Sequence, residues 1–144
     1  MTALDRQQSV VTAIIAALSA DISLASLIGR RIYDAPPPRA VLPSIGVRVV
    51  SGLDASSADT EAQLLSVDLD VWDRYVLGVN LGGPRLVMGH IRRILHMRPL
   101  TSPGVSILAV RCIASHGPAR DPDDIALHGT VSVSVLCGHE TSPS

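Results

Sequence analysis

The sequence predicts an α+β fold with a four-stranded, mainly antiparallel sheet and helices packed on one face. In four segments apolar residues alternate with polar ones, and in two others they recur at three- and four-residue spacing. A strand with one polar face is typical of an antiparallel sheet that helices cover on one side only. With 144 residues, we expect one domain over 1–139, followed by a flexible C-terminal tail at 140–144.

Two longer helices and a short one are predicted. The first, over 3–19, has an apolar face of Val10, Val11, Ile14, Ile15 and Leu18. It is too short to cross a bilayer, and Asp5 cancels Arg6, so we interpret it as an amphipathic helix and not as a signal peptide. Asp21 can cap a short second helix that Gly29 ends. The third helix is expected near 84–96, after the break at Gly82-Gly83-Pro84.

Four strands are expected near 44–51, 62–73, 105–115 and 129–138. The clearest is the second, because Val67, Leu69 and Val71 lie on one face while Asp68, Asp70 and Trp72 lie on the other. We expect the helices to pack on the face that carries the apolar residues of this strand. Two polar segments, 52–61 and 116–128, are interpreted as long loops.

The composition limits the possible functions. The formal net charge is −1, so no overall basic field attracts nucleic acid. Only 17% of the residues are charged, below the roughly 25% of ordinary domains, which favours an oligomer that hides part of the surface. Cys112 and Cys137 are interpreted as two buried thiols.

Asp68 and Asp70 are the strongest candidates for chemistry. Alternate positions on a strand lie about 6.6–7 Å apart, so the two carboxylates could flank a substrate. The simpler interpretation is a polar row that faces solvent or a partner. The acidic segment that starts at Asp121 lacks the Gly and Glu of a calcium-binding loop. We therefore predict no catalytic, metal-binding or cofactor-binding residues and no cofactor.

Two other functional classes remain open as alternatives. A small enzyme or ligand-binding domain could use the Asp68, Asp70 and Trp72 face as a pocket. A nucleic-acid-binding protein could use Arg85, Arg92 and Arg93 on the third helix, although the charge balance argues against this.

The order of several short motifs resembles a known family. These motifs are Gly29-Arg30-Arg31-Ile32-Tyr33 with prolines just after it, Leu42-Pro43, Val71-Trp72-Asp73-Arg74, Ile94-Leu95-His96 and Arg120-Asp121-Pro122-Asp123. In this order the chain resembles the tail-completion (tail-terminator) proteins of long-tailed phages and gene transfer agent particles. The resemblance covers roughly residues 10–138 and implies a tail-terminator-like fold.

The resemblance implies a structural virion protein that is not an enzyme and does not bind a membrane. Such proteins form a homo-hexameric ring that ends the tail tube and contacts the tail tube protein and the head-completion (stopper) protein. DNA would pass through the lumen without specific binding, and assembly would take place in the bacterial cytoplasm. We expect the partner contacts to come from the two predicted loops, through Leu53, Asp54, Asp59, Glu61, Arg120, Asp121 and Asp123.

Overall fold

Three helices and five strands make up the part of the chain that the computed structural model describes, residues 6–37, 40–74, 82–103, 105–120 and 126–139. The helices are α1 (Arg6–Ser19), α2 (Ile22–Ile28) and α3 (Gly82–Leu95). The strands are β1 (Ile32–Tyr33), β2 (Ser44–Asp54), β3 (Ala62–Arg74), β4 (Val105–Arg120) and β5 (Ala126–His139).

The five strands form one mixed sheet in the order β1-β2-β3-β5-β4. The four long strands pair with one another in antiparallel fashion, as predicted. The predicted count of four strands is wrong, because β1 adds a fifth that runs parallel to β2, with Ile32 opposite Ile45. Two residues are too few to show an alternating pattern, so periodicity could not reveal this strand.

Three of the four long strands extend well beyond their predicted bounds, and β5 begins at Ala126 instead of residue 129. β2 continues to Asp54, and β4 continues through Gly117-Pro118 to Arg120. The predicted loops at 52–61 and 116–128 are therefore shorter than expected, and most of the second is a β-ribbon. Glycine and proline weaken the sequence signal for a strand. Three register shifts between β4 and β5 also interrupt the two-residue alternation of β4.

The helices cover the predicted face of the sheet. Val67, Leu69 and Val71 are 0% exposed, and they lie in one core with apolar residues of α1 and α3. The third helix begins at Gly82, two residues before the expected start. The capping prediction for α2 is confirmed, because the Asp21 carboxylate accepts a hydrogen bond from the Leu24 backbone N–H and Gly29 adopts a φ of 60°.

The two cysteines are buried and free, as expected, and burial raises the pKa of both thiols. In the part of the chain that is described, no single helix is long and apolar enough to cross a membrane. α1 and α2 reach that length and apolar character only together, with a 90° bend between them. The expected start of the first helix, at residues 3–5, lies outside the described residues.

Candidate assembly surfaces

The face of the sheet opposite the helices changes character along the strands. Near the end of β3, Trp72 stacks on His128 of β5, with ring centroids 3.9 Å apart and planes 6° apart. The middle rows carry Asp70, Asp68 and serines. Near the start of β3, Leu64 lies between Leu53 of β2 and Leu136 of β5. The face is therefore aromatic and charged at one end and apolar at the other.

The two aspartates are held by neighbouring side chains on both sides. Arg48 of β2 donates to Asp70 Oδ2 from Nε over 3.2 Å, and its Nη2 lies 3.4 Å from Asp68 Oδ2. From β5, Thr130 donates to Asp70 Oδ1 over 3.0 Å and Ser132 donates to Asp68 Oδ1 over 2.8 Å. His128 Nε2 also lies 3.1 Å from Asp70 Oδ1.

This network keeps Asp70 ionised. Burial works to raise the pKa of Asp70, but hydrogen bonds from Arg48, His128 and Thr130 outweigh it and hold the pKa below its usual range. A general acid or base that works near neutral pH needs the opposite shift. The arrangement therefore suits a structural carboxylate better than a catalytic one.

A hollow of about 330 Å³ lies beside this network. Its lining includes Asp34, Pro36, Arg48, Asp70 and Trp72. A hollow is the feature expected of a ligand-binding domain, but the pKa of Asp70 in its lining is lowered and this carboxylate is already hydrogen-bonded. Among the residues that the structure describes, no three His, Cys, Asp or Glu side chains are grouped to hold a metal ion.

The residues expected at partner contacts lie at opposite ends of the sheet. Leu53, Asp54, Asp59 and Glu61 belong to the β2–β3 hairpin at one end, whereas Arg120 ends β4 at the other. β3 has 13 residues, so the two ends are about 40 Å apart at the usual rise per residue. The expected contacts Asp121 and Asp123 lie outside the described residues. The two sets of residues could thus reach two different neighbours.

The tip of the β2–β3 hairpin is held by its own hydrogen bonds. The Ser56 hydroxyl lies 2.6 Å from Asp54 Oδ1, which lowers the pKa of Asp54. The Ser57 backbone N–H donates to the Thr60 carbonyl over 2.8 Å. Leu53 is 60% exposed, and Asp54 and Asp59 are exposed as well. These three residues are available for a contact with a partner.

Glu61 differs from the other expected contact residues because it forms an ion pair within the chain. Its Oε1 atom lies 3.3 Å from Arg6 Nη2, and the Arg6 side chain is only 8% exposed. The pair ties the base of the hairpin to the first turn of α1. An intramolecular role for Glu61 was not expected from the sequence.

The arginines of α3 are mostly engaged inside the molecule. Arg93 Nη2 lies 2.8 Å from Asp21 Oδ1, which lowers the pKa of Asp21 to about 2. Arg92 donates to the Cys112 carbonyl over 3.3 Å. Arg85 is exposed. Two of the three side chains proposed for nucleic-acid binding are therefore committed to protein contacts.

Arg48 and His128 are the residues around Asp70 that the sequence did not indicate. Each reaches Asp70 only because β2 and β5 flank β3 in the sheet. Arg48 does lie at an alternate position of its strand, on the polar side, and this was the available signal. The alternation of polar and apolar residues within one strand does not show which strands lie next to each other, so the contact between Arg48 and Asp70 could not be predicted from it.

The family model described as Tail completion protein gp17 matches residues 12–138. Among solved structures, a chain from the virion of a native gene transfer agent particle has a TM-score of 0.78 at 15% sequence identity, covering 91% of this chain and 96% of that one. No curated protein matches. The resemblance drawn from the sequence motifs is confirmed by the family match.

Proposed function

Because the chain belongs to the tail completion protein gp17 family of structural virion proteins that are not enzymes, we propose that six copies form a ring at the end of the tail tube. The ring would stop growth of the tube and join it to the head-completion (stopper) ring. The chain is a structural tail protein of a phage-like particle. Its position at the neck, its six-fold assembly and its assembly in the bacterial cytoplasm are parts of the proposal.

The observation that carries this proposal is the placement of exposed residues at both ends of one sheet. A protein that joins two different structures needs two separate contact surfaces. The β2–β3 hairpin with Leu53, Asp54 and Asp59 supplies one, and the β4–β5 ribbon that includes Arg120 supplies the other. Residues at such loop ends can contact partners without disturbing the core.

DNA would pass through the lumen of the ring without specific binding. A strongly basic lining would retain DNA through phosphate contacts, and the net charge of −1 is compatible with free passage. Because the family consists of structural virion proteins and not enzymes, we do not propose a small enzyme that uses the Asp68, Asp70 and Trp72 face. The tail tube protein and the stopper protein are the partners that this function requires.

The proposal can be tested by altering each end of the sheet separately. In one variant the hairpin tip Ser57–Thr60 is replaced by Gly-Ser-Gly-Ser, which keeps Asp54, Ser56 and Glu61 in place. In the other, exposed Ala119 of β4 is changed to Glu. Both variants should fold, as measured by circular dichroism, and both should disturb particle assembly when viewed by electron microscopy.

The two ends should produce distinguishable defects. DNA-filled heads beside separate tails of normal length indicate that the altered end meets the stopper ring. Tails of uncontrolled length indicate that the altered end meets the tube. Normal tailed particles from both variants would contradict the proposed function.

A further inference from the structure

One surface that the proposed function leaves unexplained is a hollow at the outer edge of β4. It has a volume of about 290 Å³, and Arg98 is the one charged residue among the described residues that line it. The other lining residues are Met97, Pro99, Ile107, Leu108, Ala109 and Val110. Met97 and Leu108 are 67% and 56% exposed, so the hollow presents apolar side chains to solvent.

An exposed apolar residue lies at the same level on the opposite edge of the sheet. Leu53 of β2 pairs with Leu64, Leu64 pairs with Leu136, and Leu136 pairs with Ala109 of β4. Within the described residues, β1 pairs only with the start of β2, so β2 is the outermost strand at this level, and Leu53 and the hollow lie on one row at opposite edges of the sheet. A second copy placed beside the first, in the same orientation, brings Leu53 of one copy level with the hollow of the next.

The charges of the two edges are opposite. Asp54 and Asp59 are exposed acidic residues near Leu53, whereas the exposed arginines Arg98 and Arg111 lie at or beside the hollow. At the level of the hollow, Asp54 shares its row with Ile107 through Gln63 and Cys137. Arg98 and Arg111 are exposed, and no ion pair to either is found within the described ranges. Complementary charge of this kind orients an encounter and discriminates against wrong pairings.

The backbone at the edge of β4 is already occupied. The Met97 N–H donates to the Val110 carbonyl over 2.8 Å, and the Cys112 N–H donates to His96 Nδ1 over 3.0 Å. Arg92 donates to the Cys112 carbonyl. These bonds block the addition of another strand along this part of the edge. A neighbour must therefore contact this part of β4 through side chains.

We propose that Leu53 of one copy inserts into the hollow between Met97 and Leu108 of the next copy, with Asp54 facing Arg98. The contact is head-to-tail, because the two surfaces differ and lie on opposite edges of the same molecule. Repeated around an axis, such a contact closes into a ring, or extends into a filament if the rotation does not close. This inference rests on the proposed ring and identifies the surfaces that would build it.

Site-directed cross-linking tests the pairing. Leu53→Cys and Leu108→Cys are made as separate proteins and as one double variant, and wild type reports any background from buried Cys112 and Cys137. Particles are assembled from each protein, incorporation is measured, and oxidation is followed by non-reducing gel electrophoresis. The double variant should give a ladder of cross-linked species that stops at six copies, and each single variant should remain monomeric.

Each other outcome has a definite meaning. Self-cross-linking of Leu53→Cys alone would show a two-fold contact and overturn the proposal. Particles that join normally, contain the double variant and show no ladder would overturn the pairing while leaving the proposed function intact. The cross-linked ladder can also form while the hairpin-tip and Ala119 variants still give tails of normal length that join heads. That combination of results would support the pairing of Leu53 with the hollow and contradict the proposed function.

Charge reversal provides a second, independent measurement. Arg98→Asp should weaken self-association, or incorporation into particles, at least about tenfold, and Asp54→Arg should restore it in the double variant. Arg30→Asp makes the same change at an exposed site outside both the hollow and the β2–β3 hairpin and serves as the matched control. If Asp54→Arg does not restore the association lost in Arg98→Asp while the control variant behaves like wild type, the proposed contact between Asp54 and Arg98 is contradicted.

Discussion

Trp72 and His128 stack across neighbouring strands at a centroid distance of 3.9 Å, and they are direct partners in the register of β3 and β5. Because side chains alternate along a strand, this register also directs Val67, Leu69 and Val71 towards the helices. A slip of one residue would separate the two rings and move the whole apolar set to the open face. The stack and the core thus depend on the same alignment.

Changing Val67 to Asp should unfold the domain. Val67 is 0% exposed, and a carboxylate there would have no partner, at a cost of more than about 4 kcal/mol. The neighbouring change Ser66→Asp places the same group on the open face and should leave the fold intact. Urea unfolding followed by circular dichroism measures both variants. Equal stability of Val67→Asp and wild type would mean that the register is wrong.

The sequence was enough to predict those helices and strands that depend on nearby capping residues or on the regular spacing of apolar residues. Helix α2 was predictable because Asp21 and Gly29 act within a few residues of the helix they bound. The burial of Val67, Leu69 and Val71 in β3 was predictable from the alternation of apolar and polar residues alone. β1 was not predictable, because its two residues pair with Ile45 and Gly46, 13 positions away. The extension of β4 was hidden by its bulges.

The same distinction applies to the assembly surfaces. The shared face of Asp68 and Asp70 was predictable from one strand. Their partners Arg48 and Ser132 lie on two other strands, and only the strand order brings them together. The row that joins Leu53 to the hollow of β4 runs across four strands. No pattern within a single segment could have indicated that relationship.

Changing Asp70 to Asn should lower stability at neutral pH and have less effect in acid. The pKa of Asp70 is depressed in the folded state, so its stabilising effect is complete above the unfolded value of about 3.9 and is lost as the pH falls through the folded value. Unfolding by urea at pH values from 7 to 2 should therefore show a difference between wild type and Asp70→Asn that narrows below about pH 4.

The control for this measurement is Asp59→Asn, which makes the same change in the exposed hairpin tip. A difference for Asp70→Asn that stays constant down to pH 2 would contradict an ionised structural carboxylate. Asp68→Asn and Asp70→Asn should both leave particle assembly within about threefold of wild type, a shift of less than 1 kcal/mol. A turnover that disappears with either change would favour the enzymatic alternative.

Changing Glu61 to Gln should destabilise the domain through Arg6. The Arg6 side chain is 8% exposed, and Glu61 is its only ion-pair partner in the described part of the chain. The change leaves a buried guanidinium without its counter-charge, which costs about 1–3 kcal/mol. Replacing Arg6 by Met in the same protein removes the unpaired charge and should recover part of that loss of stability.

The coupling between the two residues is measured from the urea midpoints of four proteins: wild type, Glu61→Gln, Arg6→Met and the double variant. Strictly additive effects would show that Arg6 is stabilised by other groups and that Glu61 is available for a partner after all.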